Sequence, residues 1–114
     1  MRKKILKWLL DVQVSVEAIR RYLGEEPTFE DFLSDRMMRK AVEREFEIIG
    51  EAVNRILKQQ PDIAISNARK IVDFRNHISH VYDNVSEEIM WGIIVNYLPE
   101  LHREVLALIE EHGA

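Results

Sequence analysis

The sequence predicts an all-α fold: an up-and-down four-helix bundle with one short extra helical piece. Three observations predict it. Apolar residues recur at spacings of three and four over long stretches, which is the period of a helix face. Gly occurs four times and Pro three times in 114 residues, too few for the turns of an all-β chain. Residues that start or stop helices stand at the ends of the apolar stripes. The length matches one domain, residues 1–114, and a chain this short often completes its core by oligomerising.

The first helix is expected from about Lys3 to Leu23. Its stripe is Ile5, Leu9, Val12, Val16, Ile19 and Leu23, and Gly24 ends it. After Pro27, Thr28 can cap a short piece over Phe29–Leu33. Ser34 or Asp35 can cap the second long helix, which ends near Lys58 and carries Met38, Val42, Phe46, Ile49, Val53 and Ile56 inward. Gly50 interrupts it at a cost of roughly 1 kcal/mol relative to Ala, which suggests close contact with a neighbouring helix. Ser66 or Asn67 can cap a third helix to about Val81, with Ile71, Phe74, Ile78 and Val81 inward. Ser86 caps the last helix, whose stripe is Ile89, Ile93, Leu98, Leu101, Val105 and Leu108. Pro99 should kink that helix in its middle.

Composition excludes several classes of function. Cysteine is absent, so no disulfide, thiolate metal site or cysteine nucleophile exists. The apolar run after Met1 is broken by Lys7 and Asp11, unlike a signal peptide, and no stretch approaches the ~18 apolar residues of a spanning helix. A cytoplasmic protein without membrane contact is expected. The net charge of −4 argues against coating nucleic acid by bulk electrostatics. Charge is nevertheless uneven: Arg2, Lys3, Lys4 and Lys7 open the chain, and Arg69, Lys70 and Arg75 recur later. The first group is either a solvated helix start or a guide for RNA.

Chemistry concentrates between Asp73 and Asp83, where Arg75, Asn76, His77, Ser79, His80 and Tyr82 alternate with core residues. Arginine offers a planar donor fork for phosphate oxygens, and histidine changes charge nearest neutral pH. Asn76 and His80 share a helix face. Arg75 and His80 are five apart, so an ideal helix sets them about 140° from each other. A two-fold homodimer that pools two copies of this helix in one cleft eases that geometry.

The segment Arg75-Asn-His-Ile-Ser-His80-Val-Tyr82 resembles the Arg-x4-His-x-Tyr motif of HepT-like proteins, a branch of the HEPN superfamily. Ile48-Ile-Gly-Glu-Ala52, Ile89-Met-Trp91 and Tyr97-Leu-Pro-Glu-Leu101 extend the resemblance in the family's order. Relatives commonly carry a Pro-Trp pair where this chain has Asp62-Ile-Ala-Ile65. The resemblance implies a homodimeric HEPN-like bundle acting as a metal-independent endoribonuclease toxin, without cofactor. It makes Arg75 and His80 the catalytic pair, with Asn76 in support; His77 reads as a supporting histidine, hydrogen-bonded or facing the dimer partner, and not as a catalyst. It also implies a partner, a minimal nucleotidyltransferase antitoxin that places AMP on Tyr82.

Other readings of the same residues stand beside this one. Asp73, His77 and His80 share a helix face and imitate a two-His, one-carboxylate metal site. Glu51 is either an exposed helix carboxylate or a supporting partner of Arg75 across the bundle. Trp8 and Trp91 read as packing residues, and His102 and His112 as surface residues. The chain could also be a non-catalytic helical subunit, a scaffold or substrate for a nucleotidyltransferase.

Overall fold

The computed structural model describes residues 2–80 and 86–113, with the backbone alone at residues 2, 79 and 80. Six helices follow one another: α1 (Arg2–Leu23), α2 (Phe29–Ser34), α3 (Arg36–Gln59), α4 (Ala68–His80), α5 (Glu87–Asn96) and α6 (Leu98–Gly113). No strand occurs among the described residues. Helix α1 packs on α3 and α6, α3 also packs on α4, and the short α2 bridges α3 and α5. The fold is the expected helical bundle with its short extra piece.

The caps show why the chain breaks where it does. Gly24 takes φ 83° after α1, a conformation costly for any residue with a Cβ, and its N–H closes on the Arg20 carbonyl. Thr28 accepts from the Asp31 N–H at 3.1 Å, and Asp35, not Ser34, accepts from the Met38 N–H at 3.0 Å. Ser34 turns back to the Asp31 carbonyl instead. Ser86 accepts from the Ile89 N–H at 3.3 Å. Ser66 is not a cap: its N–H and hydroxyl both donate to Glu104 of α6, which leaves Asn67 next to α4.

The inward stripes of α1 and α3 are buried as their spacing implies, and each such side chain contributes about 1.5–3 kcal/mol through burial. The α5–α6 segment differs from its expectation in two ways. The helix breaks at Tyr97, so Pro99 sits in the first turn of α6, where its missing N–H leaves no bond unmade. Ile89 is half exposed, while Met90 and Ile94 point inward. Residues Ile89–Val95 are apolar almost all round, so no single stripe marks the buried side. Trp91 packs on Phe29 and Phe32, with ring centroids 6.0 and 5.6 Å away, and fastens α2 to α5.

Candidate functional site

The site forms where α4 crosses α3. On α4, Val72 and Ile78 are buried three residues either side of Arg75, so Arg75 occupies the row that faces α3. A long charged side chain in that row needs space, and Gly50 supplies it. A methyl group on Gly50 would overlap the Cβ and Cγ of Arg75. The glycine suspected from sequence of serving close helix contact does so at the arginine of the motif.

Two acceptors hold the guanidinium. Its Nη2 lies 3.1 Å from Oε2 of Glu51, and its Nη1 donates to Oδ1 of Asn76 at 3.1 Å. The other Glu51 oxygen accepts from Nε of Arg55 at 3.0 Å, one turn further along α3. Glu51 is therefore the partner of Arg75 across the bundle. Arg75 keeps a third of its side chain exposed, and its remaining donors are available to an anion.

The structure brings Glu51, Arg75 and Asn76 together. His77 lies elsewhere, on the exposed side of α4, with its ring stacked on Phe74 at 6.4 Å. The backbone of His80 closes α4, but its side chain lies outside the described residues, as does all of Tyr82. The Asp73–His77–His80 grouping shares that boundary through His80.

Two features escaped the reading of the sequence. Arg55 completes the charge cluster, and its position four residues after Glu51 was the available signal, since that spacing pairs opposite charges along a helix. His102 is no surface residue. Its side chain is only 14% exposed, and Nε2 meets Oε2 of Glu17 at 3.1 Å between α1 and α6. The hydrogen bond from His102, aided by one from Gln13, holds the Glu17 carboxyl below its ordinary value. His112 contacts the Leu108 carbonyl one turn back.

An open groove of about 480 Å³ runs beside the cluster. Arg75, Glu51 and Arg55 line it together with Arg44 and Glu47 of α3 and Lys7, Trp8 and Asp11 of α1. No helix among the described residues is long and apolar enough to cross a membrane.

The all-helical bundle thus seats an arginine between a carboxylate and an amide, with donors left over for an anion, and its fold is consistent with a HEPN-like bundle. The family described as "Ribonuclease HepT-like" matches residues 12–108, and the chain belongs to that family and is a ribonuclease. Its relatives agree. A Methanocaldococcus jannaschii protein named "Putative RNase" is 27% identical, over 96% of this chain and 91% of its own length. A Caldanaerobacter subterraneus protein of the same printed name is 32% identical, over 74% of this chain and 76% of its own. The "Probable ribonuclease HepT" of Thermococcus cleftensis is 30% identical, over 89% and 92%. No solved structure matches the chain.

Proposed function

We propose that this ribonuclease is a metal-independent endoribonuclease that cuts RNA by attack of the ribose 2′-hydroxyl on the adjacent phosphate. The observation that carries the reading is the seating of Arg75 between Glu51 and Asn76, on the helix that ends in His80. His80 takes the proton of the 2′-hydroxyl, O2′ bonds to phosphorus, and the bond from phosphorus to O5′ breaks. A histidine proton goes to the leaving oxygen, so the products are a 2′,3′-cyclic phosphate and a 5′-hydroxyl. Arg75 stabilises the charge that builds on the phosphate, and Glu51 and Asn76 hold it in position. His77, on the exposed side of α4, takes no part in this step. RNA is preferred over DNA because DNA lacks the nucleophile.

The active form is a homodimer around α4, which places two copies of Arg75 and His80 in one cleft. The protein works in the cytoplasm as the toxin of a toxin–antitoxin pair whose partner is a minimal nucleotidyltransferase. AMP on Tyr82 adds bulk and negative charge beside the RNA path and so opposes a phosphate substrate.

Arg75→Ala and His80→Ala should each abolish cleavage of a labelled RNA without loss of helix content. Cleavage should persist in EDTA and leave cyclic phosphate ends. The same preparation, incubated with the partner transferase, ATP and Mg²⁺, should gain AMP mass on the Tyr82 peptide and stop cutting. Cleavage by the His80→Ala protein at the wild-type rate sinks the assignment of the histidine. Activity that EDTA removes and a transition metal restores moves the chemistry to Asp73, His77 and His80.

A further inference from the structure

The groove between α1 and α3 has a polarity that the catalytic reading does not use. Helices α1 and α3 run antiparallel: Tyr22 reaches Glu45 at 2.8 Å at one end, while Lys7, Trp8 and Asp11 face Glu51, Ala52 and Arg55 toward the other. The start of α1 therefore lies beside the end of α3. Residues 2–10 contain Arg2, Lys3, Lys4 and Lys7 and no acid, and residues 52–59 contain Arg55 and Lys58 and no acid. Lys3, Lys4, Lys7, Arg55 and Lys58 are exposed. The acids of the lining are Asp11, paired with Lys7 at 2.8 Å, Glu51, shared by Arg55 and Arg75, and Glu47, which lies further along α3 near Arg44. In a chain of net charge −4, this end of the groove is a concentrated basic strip that leads to Arg75.

Helix stability does not explain the strip. The first turn of α1 holds no acidic residue, and cations there oppose the positive end of the helix dipole. A sequence serving the helix alone would place Asp or Glu in that turn. Trp8 adds an aromatic surface midway along the groove, partly buried and walled by Ala52 and Ile48. A basic groove interrupted by an aromatic ring suits single-stranded nucleic acid, which presents alternating phosphates and bases.

We infer that the α1–α3 groove is the track for the single-stranded RNA flanking the scissile phosphate, with Lys7 of its lining and exposed Lys4, one turn earlier on α1, contacting phosphates and Trp8 contacting a base. This rests on RNA as the substrate class and names the surface that grips it. Arg44, exposed at the other end of the lining, marks where the strand leaves. The groove confers affinity for length, while Arg75 acts at one phosphate.

The test uses 2′-O-methyl oligouridylates, which cannot be cut because the nucleophile is blocked. Wild-type protein should bind a ten-nucleotide strand far more tightly than a dinucleotide. A Lys4→Ala/Lys7→Ala variant should bind the ten-mer about tenfold more weakly. Its slope of log affinity against log salt should shrink by about 1.4, the share of two phosphate contacts on a single strand. Dinucleotide binding should not change. In a Trp91→Phe background, where Trp8 is the only indole, the ten-mer should quench the emission. Unchanged ten-mer affinity and slope, or no quenching, overturns the inference. So does a variant that alters the oligomeric state while binding RNA normally, because the groove is then a subunit face. Binding in the groove by a protein that cuts no RNA would remove the catalytic reading and leave the track. Normal cutting without length-dependent binding would do the reverse.

Discussion

Two side-chain contacts of equal length join helices in this molecule, and their surroundings differ. Arg75 meets Glu51 at 3.1 Å across α3 and α4, and His102 meets Glu17 at 3.1 Å across α1 and α6. The first pair exists only because α3 carries Gly50 beneath the stem of Arg75. That glycine costs about 1 kcal/mol of helix propensity, more than an exposed pair usually returns. The second pair needs no such concession, and neighbours on α1, Gln13 and Arg21, reinforce it. A backbone shaped around one charged side chain indicates a group kept for what it does, whereas the α1–α6 pair is explained by its contribution to the contact. Arg75, to which the proposed function gives the phosphate, falls on the side with the concession.

The largest expected effect breaks that concession. Gly50→Ala gains about 1 kcal/mol of propensity but forces overlap with the Cβ and Cγ of Arg75, at a cost of about 1–3 kcal/mol. The overlap should win, because the obstruction is the root of the side chain and cannot swing aside. Urea denaturation should show a net loss, and RNA cleavage should fall with it as the guanidinium moves. Gly92→Ala in α5 is the control. A methyl there meets nothing within 4 Å among the described residues, so the protein should gain about 0.5–1 kcal/mol and keep its activity. Two variants of the same sign would mean that Gly50 has no special relation to Arg75.

A smaller effect is expected from the carboxylate. Glu51→Ala leaves Arg75 in its row but removes one of its two holders. A charge-assisted bond contributes about 1.5–3 kcal/mol, so kcat should fall by about tenfold or more. KM should change little and helix content not at all, and Glu51→Gln should recover part of the rate. A rate equal to wild type would reduce Glu51 to an exposed helix residue.

These contrasts also show what could be read before the fold was known. The caps Thr28 and Ser86 and the stripes of α1 and α3 were legible, because each depends on local chemistry or on one helix period, while the choice of Asp35 over Ser34 required the structure. The inward side of α5 was not, since a segment apolar all round has no preferred face. Pro99 was misplaced because a break two residues earlier, at Tyr97, turns an interior position into a first turn. In the candidate site, the close helix contact at Gly50 could be read, but the choice between two roles for Glu51 required the crossing of α3 and α4. His102 was misjudged because Glu17 lies 85 residues away in sequence. The groove was invisible for the same reason, as the antiparallel alignment of α1 and α3 creates it.

The smallest effect belongs to the Glu17–His102 hydrogen bond and concerns pH. Glu17 is held below its ordinary carboxyl value mainly by the hydrogen bond from His102. A carboxyl whose value is lower folded than unfolded stabilises the fold above the unfolded value, 4.5 in its reference state. That contribution fades as pH falls through the folded value, because protonation then occurs in the folded chain as well. Stability should therefore decline on acidification below about pH 5, and the Glu17→Gln protein should decline less steeply over the same interval. Thermal melts between pH 3 and pH 7 measure the difference, which should be small because Glu17 is partly exposed to solvent. RNA cleavage at neutral pH should be untouched by Glu17→Gln. Parallel stability curves would show that the α1–α6 pair carries no pH dependence, and a loss of cleavage would erase the distinction between the two helix contacts.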